Sequence, residues 1–399
     1  MKLAFVGGFG FRPKGTIQGR AFPIAAELAR LGHQVKIFVT PYDNLQESSR
    51  TWTEEGVEIY GMKVGSTALS YPALFARLVA AVEKFRPDVI HIFKPKGFAG
   101  AAGTYFHLKG MRRVVLDCDD WEGWGGFNDI KAYPWILKEY IDRQERWMMR
   151  TTPAITVASR TLERRVCDAR KTSSGVFYLP NCGTSPGNLA VHARARAMSQ
   201  TEARAEFGLP AGPSIFYSGH FEPGEDFMLF CRSATAAAER NRSSIVFVGE
   251  GPELFRIKQF YKQHPGIQVF FFPRLSYHKF IQLIWACDVA AFPYPDDPVH
   301  RSKCSARIID YMSIGKAVVT SRVGQNTEYI EDGKSGILVG PGDEEAFGRA
   351  IDLLLRDATL RKKLGEGAVE RIRKNFTWSG EPLRRCLAAY NQVLEASHR

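Results

Sequence analysis

Three cations crowd into seven residues in the run RSKCSAR, where Arg301, Lys303 and Arg307 follow the acids Asp296 and Asp297. Guanidinium and ammonium groups aimed from a loop and the helix it opens make charge-assisted hydrogen bonds to phosphate or carboxylate, so this spacing suits an anion. The competing reading is three solvated cations on an exposed loop. A second stretch, VVLDCDDWEG, ends a β-type run with Asp117, Asp119 and Asp120. Three acids within four residues of an extended segment face both sides of a strand and make a poor metal cage. No metal is therefore expected, and an Asp directly after a strand ordinarily caps the following turn. The third stretch, GGFGFRPKG, has Gly8 and Gly10 after a first strand, but Pro13 stands where a dinucleotide fingerprint needs its third glycine. No clear acid closes the second strand either, which argues against a nicotinamide cofactor.

The elements that must hold these residues alternate. KLAFVGG, QVKIFVT, DVIHIF, RRVVLDC, AITVAS and VFYLPN read as strands separated by helical patterns such as AFPIAAELARLGH. Thr184 to Glu206 interrupts the rhythm, which restarts with PSIFYSG, SSIVFVGEG, IQVFFFP, DVAAFPYP and AVVTSRV. Strand-helix alternation predicts parallel sheets covered on both faces, here an α/β chain of two doubly wound domains. After Asp343 the pattern is helical throughout, and a last helix with no strand to follow is expected to cross back to the first domain. The expected boundaries are 1–185, 186–375 and a returning helix over 376–399.

A chain of 399 residues suits two cores rather than one. At 45% hydrophobic and 24% charged residues, disordered and fibrous classes are excluded. The seven cysteines show no CxxC pair and no zinc spacing, which points to a reducing compartment and a cytoplasmic protein. No apolar run reaches the length of a spanning helix. The formal charge of +12 is consistent with anionic company or with a generally basic surface. Its cations are spread out and no nucleic-acid module is present, so no nucleic-acid partner is expected.

Taken in order, LARLGHQVKIF, RPDVIHIF, LPN, YSGHF, FVGEGPE, ACDVAAFPYP, ARIIDYMSIGKAVVTS, DGKSGILVGPGD and FTW resemble the retaining GT-B glycosyltransferases of the GT4 type, and the resemblance covers nearly the whole chain. It implies two Rossmann-like domains facing an interdomain cleft. The first is on the acceptor side and the second binds a nucleotide-sugar. The sugar nucleotide is a substrate, so no cofactor is implied, and its diphosphate can be held without metal by helix N-termini and backbone N–H groups.

The resemblance also assigns residues. The family usually carries two glutamates eight residues apart; here Asp310 falls at the second, ribose-gripping position and Ser302 at the first. Where the family places an Arg after the glycine of YSGHF and a Lys a few residues on, this chain has Gly219, His220 and Pro223. Lys303 and Arg307, with Arg301, are the cations that would face the diphosphate instead. Glu250 and Gly251 lie toward the base or donor, and Arg274 and Leu275 meet the base through backbone groups, although ordinary turn chemistry accounts for these four as well. Gly8 and Gly10 let the backbone approach the donor and acceptor, with Arg12 and Lys14 on the acceptor side. Asp119 stands where many relatives have a histidine, and it either orients the acceptor hydroxyl or caps the turn.

The implied activity is transfer of a sugar from a nucleotide-sugar donor to a hydroxyl on a glycan, lipid-linked or small-molecule acceptor, with retention of configuration. A catalytically degenerate binding module and a sugar-nucleotide epimerase on the same fold are the alternatives. Because relatives often serve lipid-linked acceptors, Arg112, Arg113, Arg143, Arg146 and Arg150 suggest peripheral contact with the inner membrane face.

Overall fold

A computed structural model describes residues 1–12, 15–183 and 186–396. The expectation for Lys14 lies outside the described residues. The chain forms two compact units. One takes Met1–Asn181, the short segment Ser302–Cys304 and the chain from Trp378; the other takes Cys182–Arg301 and Ser305–Thr377.

The first unit is built on eight strands: β1 (Lys2–Gly7), β2 (Gln34–Val39), β3 (Thr51–Glu54), β4 (Val57–Gly61), β5 (Val89–Phe93), β6 (Val114–Cys118), β7 (Ala154–Val157) and β8 (Val176–Tyr178). Their order is β3-β4-β2-β1-β5-β6-β7-β8, parallel throughout except for the edge hairpin β3–β4. Strands β5, β6 and β7 are buried at every position. That is the signature of a sheet covered on both faces, and it means that the polar His91, Asp117 and Thr156 must be satisfied internally. The chain winds outward from β1 in one direction, then returns to lay β5 on its other side. Connections after β1 and β5 therefore diverge, and a crevice opens at the carboxyl ends of those two strands.

The second unit has β9 (Ser214–His220), β10 (Ser244–Glu250), β11 (Val269–Phe272), β12 (Val289–Phe292), β13 (Ala317–Ser321) and β14 (Ile337–Val339). They pair in the order β11-β10-β9-β12-β13-β14, all parallel. Its reversal falls between β9 and β12, so the corresponding crevice lies beyond Gly219 and His220 on one side and the run after Phe292 on the other.

The helix Glu381–Ala396 belongs to the first unit. Leu383, Cys386, Ala389, Tyr390 and Val393 recur at helical spacing and are buried against β5 to β8. A buried polar chain fastens it. The Tyr390 hydroxyl is 2.9 Å from His91 Nδ1, His91 Nε2 is 3.2 Å from Thr156 Oγ1, and Thr156 donates to Asp117 at 2.6 Å. Asp117 in turn accepts two 2.7 Å bonds from Arg20, a bidentate pair that leaves neither buried charge uncompensated. Burial pushes His91 down to about 4, so the ring is neutral.

Candidate functional site

At the reversal of the second sheet, the helix Ala306–Ser313 begins after the long connection from β12. Arg307 lies in its first turn, largely buried, with Nη2 3.4 Å from Glu225 Oε1 and its guanidinium near the rings of Tyr217, Phe292 and Tyr294. Burial works against the charge, but Glu225 outweighs it, and the guanidinium is held well above its ordinary value. Nη1 is buried with no hydrogen-bond partner. Gly219, at the end of β9, is what makes room. A Cβ there would come within 3.3 Å of both terminal nitrogens of Arg307.

Three residues on, Asp310 accepts a 2.9 Å hydrogen bond from the Tyr277 hydroxyl. The same hydroxyl is 3.1 Å from His192 Nε2, and burial with Arg196 nearby pushes His192 down to about 4. A neutral imidazole donating through Nε2, a phenol passing its own proton to the carboxyl, and Asp310 at the end make a one-way chain of donors. Burial raises Asp310 to about 7, against the pull of the Tyr277 bond.

The three cations of the opening run separate. Arg307 is in the crevice. Arg301 is exposed and makes a bidentate pair with Asp296 at 2.5 and 2.8 Å, which removes it from the expected phosphate grip. Lys303 and the buried Ser302 belong to the segment that clusters with the first unit, where Lys303 acts electrostatically on Asp120 and Cys304 O accepts from Asn181 Nδ2 at 2.7 Å. Lys303 is thus no simple extension of the helix carrying Arg307, because the chain leaves the second unit for three residues just before that helix starts.

His220 and Glu250 are exposed and lie opposite each other in the β9–β10 register. Gly251 follows at φ +155°, and a Cβ there would meet backbone atoms of Phe221 within 2.7 Å, so this glycine serves a close backbone approach. Arg274 and Leu275 are in the connection after β11, at the same edge of the sheet.

In the first unit the glycine loop does something other than cradle a ligand. Gly10 N donates to Asp43 at 2.7 Å, and Phe11 N and Arg12 N donate to Glu47 at 2.6 and 3.0 Å. Protein carboxylates already take the N–H groups that a phosphate would need. Gly8 makes room for Ala99 and Lys96, and Gly10 for Glu47, so the expected approach of donor and acceptor to these two glycines is replaced by internal packing.

Beyond β5 and β6 the acids behave differently from a strand's alternation, because β6 ends at Cys118 and the chain turns. Asp117 points to Arg20, whereas carboxylate oxygens of Asp119, Asp120 and Glu122 gather within 4.8 Å of one another. Lys94 Nζ stands among them at 3.2, 2.5 and 2.9 Å, and Lys96 Nζ binds the other oxygen of Glu122 at 2.6 Å. An oxygen set of this kind suits a hard cation, but an ammonium occupies its centre. Asp119 is 11% exposed, and its Oδ1 pairs with Lys94 without a hydrogen bond. Burial pushes Asp119 up to about 6 against the Lys94 charge, whereas the same lysine outweighs burial at Asp120 and holds that carboxyl down.

Tyr277, His192, Lys94, Lys96 and Glu122 were not singled out in the sequence. Lys94 and Lys96 did carry a signal, two cations closing a buried strand in HIFKPKG. Tyr277 carried none, since a tyrosine in a helix's first turn is usually packing.

Comparison with known proteins bears on both halves of the chain. Residues 199–371 match the family described as glycosyl transferases group 1, and residues 15–182 match the glycosyl transferase 4-like domain. A sulfoquinovosyl transferase of Arabidopsis thaliana is 24% identical over 341 residues, which span 82% of this chain and 63% of that protein. The chain therefore covers less than two thirds of that relative's length. A sucrose-phosphate synthase from Thermosynechococcus elongatus superposes with a TM-score of 0.75 at 19% identity, over 99% of each chain. Anabaena HepE, solved in complex with UDP-glucose, superposes at 0.69 with 16% identity, over 100% of this chain and 99% of its own. At such identities the structures speak for the fold alone. With two parallel-sheet α/β units of that fold and family matches across both, this chain belongs to the group 1 glycosyltransferases of GT-B architecture.

Proposed function

We propose that the protein transfers a sugar from a nucleotide-sugar donor to a hydroxyl acceptor, with retention of configuration and without a metal ion. The observation that carries this reading is the pairing of Arg307 and Asp310 on one short helix at the reversal of the second sheet. Arg307 keeps a buried Nη1 without a partner, as a cation awaiting a phosphate oxygen would. Asp310 follows three residues later, on a neighbouring face. The departing diphosphate gains charge as the glycosidic bond breaks, and a fixed guanidinium in a half-dry crevice stabilises that change without reorganising. Asp310 accepts from the ribose hydroxyls.

In the first unit, Asp119 is the residue suited to the acceptor. Raised to about 6, with an Oδ1 that is ion-paired to Lys94 and makes no hydrogen bond, it can accept a hydrogen bond from an incoming hydroxyl. The lysine among the acids supports the metal-free part of the reading. Lys94 supplies the positive charge that a divalent cation would otherwise bring. Anabaena HepE has been solved in complex with UDP and with UDP-glucose, which makes uridine diphosphate sugars the first donors to try.

The test is donor turnover across a panel of nucleotide sugars, with and without excess chelator, for the parent and Asp119→Asn. The reading expects chelator-insensitive transfer, with Asp119→Asn slowing turnover while donor affinity holds. Activity that vanishes with chelator and returns with magnesium or manganese overturns the metal-free mechanism. Parallel loss of folding stability and rate in Asp119→Asn assigns that residue to the turn.

A further inference from the structure

The helix that carries Arg307 and Asp310 ends at the far edge of its sheet, and a cavity opens there. Gly315, at φ +83°, caps the helix Ala306–Ser313: its N–H donates to Met312 O and that of Lys316 to Tyr311 O, both at 3.0 Å. This turn delivers the chain to β13 at Ala317, so Lys316 stands at the amino edge of the sheet, as does Asp288 ahead of β12. The candidate donor crevice lies at the carboxyl edge, one strand length away, roughly 15 Å. Against the capped turn lies the helix Ala358–Asn375, whose Gly365 comes so close that a Cβ there would strike Gly315 O. Between these and the helix Pro186–Ala197 is a cavity of about 680 Å³, the size of a small-molecule site.

Its walls hold an excess of positive charge. Five cations line it, Arg196, Lys316, Arg361, Lys362 and Arg373, against the three acids Asp288, Glu366 and Glu370. Asp288 is spent, since it accepts from Arg204 at 2.6 Å and from Ser214 N at 2.9 Å, and Arg361 stands 3.6 Å off. Glu366 faces Lys362 at 3.9 Å, and Glu370 is exposed. Three cations remain. Lys316 is 4% exposed, and its ammonium donates to Trp285 O at 2.8 Å and Cys287 O at 2.6 Å, which leaves one of its three N–H groups unspent. Burial pushes Lys316 down to about 8 although Asp288 pulls the other way, so this ammonium is short of counter-charge. No carboxylate meets Arg196, whose Nη2 donates to Ser313 O. Arg373 is exposed and has no ion pair among the described residues. Carbonyls at helix ends fix where Lys316 and Arg196 sit, yet they leave donors over and supply no full negative charge. Ile314, Val369 and the Trp285 ring give the cavity its apolar walls.

We propose that this cavity binds a small organic phosphomonoester, its phosphate among Lys316, Arg196 and Arg373 and its body against Trp285, and that occupancy tightens donor binding. A phosphate dianion makes charge-assisted bonds to guanidinium and ammonium groups alike. Bare phosphate would leave most of the volume empty, whereas a sugar-sized body fills it. The coupling runs through two helices. The helix Ala306–Ser313 has Arg307 in its first turn and ends against the cavity. Arg196 and His192 lie four residues apart on the other, and His192 reaches Asp310 through the Tyr277 hydroxyl, at 3.1 and 2.9 Å. A ligand that fixes Arg196 steadies the chain of bonds that aims Asp310, so a donor arriving next has less left to order. This coupling rests on the reading that Asp310 holds the donor; the site itself does not.

Calorimetry of the full chain with ribose 5-phosphate, inorganic phosphate and ribose as probes tests the site. Ribose 5-phosphate should bind, inorganic phosphate more weakly and ribose not measurably. Arg196→Gln and Arg373→Gln should each weaken ribose 5-phosphate roughly tenfold. Lys316→Gln should do the same, its melting temperature serving to tell a lost ligand from a lost fold. Arg373 is exposed and away from the candidate donor crevice, so Arg373→Gln alone should leave UDP affinity as it was. Failure of both phosphate probes to bind at millimolar concentration overturns the proposal. Binding that survives all three substitutions puts the phosphate elsewhere and overturns it equally. Inorganic phosphate that binds as tightly as the ester overturns the organic body. For the coupling, saturating ribose 5-phosphate should tighten UDP about threefold, and linkage requires UDP to tighten ribose 5-phosphate by the same factor. An unchanged UDP affinity overturns the coupling. A chain that takes ribose 5-phosphate and no nucleotide removes the donor reading, and the coupling with it, while the site stands.

Discussion

The Tyr277 hydroxyl donates to Asp310 Oδ1 at 2.9 Å and so fixes the carboxyl that the family resemblance assigns to the ribose. Asp310 is one methylene shorter than the glutamate usual there, and a short side chain on a helix has few ways to be aimed. Tyr277→Phe keeps the ring and removes the donor. A lost neutral hydrogen bond costs about 1 kcal/mol, so nucleoside affinity should fall about fivefold. Calorimetry with the nucleoside alone measures this, and undiminished affinity would show that Tyr277 merely packs.

Burial holds Asp310 up to about 7, which gives donor binding a pH dependence. Accepting two ribose hydroxyls favours the ionised carboxyl, so affinity should rise with pH through 7 and level off above it. Stability of the free protein runs the other way. Between the ordinary 3.8 and about 7 the folded chain holds a proton that the unfolded chain has released, so stability falls as pH rises through that window. Asp310→Asn should flatten both curves, gaining stability at alkaline pH while weakening donor binding. Paired thermal and calorimetric pH series decide it. Curves that keep their slopes in the variant would assign the titration elsewhere.

Arg307 and Lys303 should separate by what each substitution breaks. Arg307→Leu removes the cation beside the buried Glu225, leaving it the Tyr217 hydroxyl, and should cost about 3 kcal/mol of stability as well as diphosphate affinity. Adding Glu225→Leu should restore much of the stability and none of the affinity. Lys303→Ala should weaken a nucleoside diphosphate about tenfold and leave the nucleoside unaffected. Full recovery of diphosphate binding in the Arg307/Glu225 double variant would make the guanidinium purely structural.

Lys94→Met should convert the neighbouring acids into a cation site. With the ammonium gone, oxygens of Asp119, Asp120 and Glu122 remain within 4.8 Å of one another, and Lys96, bound to Glu122, is the nearest cation left to offset them. Calcium or manganese should then raise the melting temperature of the variant and leave the parent where it was. A variant indifferent to both ions would mean that the acids disperse or protonate once the lysine is removed.

Strand-helix alternation made the sheets legible, because each buried parallel strand writes its position as a continuous apolar run. Three strands escaped notice: the antiparallel β3, since TWTE is half exposed at an edge and carries little pattern, and the short parallel strands β4 and β14. The place of Arg307 in the first turn of a helix, with Asp310 three residues on, was legible from the helical pattern that starts near Ser305. Arg301 misled because its partner Asp296 is five residues back, and nothing in composition distinguishes a cation aimed at a ligand from one folded onto its own loop. The glycine loop misled for a related reason: Glu47, thirty-six residues beyond Phe11, takes the loop's N–H groups, and a contact of that separation leaves no local trace. His192 and Tyr277 meet across eighty-five residues and were invisible for the same cause.

The bond between Tyr390 and His91 spans 299 residues and has a consequence for the order in which the protein can be made. On the ribosome, β5 emerges long before the helix that completes its surroundings. Until Tyr390 arrives, the His91–Thr156–Asp117 chain lacks its end, and the apolar groove over β5 to β8 stands open while the whole second unit is being synthesised. Domains usually finish in order of emergence; this one must wait for its successor. A nascent chain stalled just past Phe376 should therefore hold a protease-resistant second unit beside a first unit that is still readily cut.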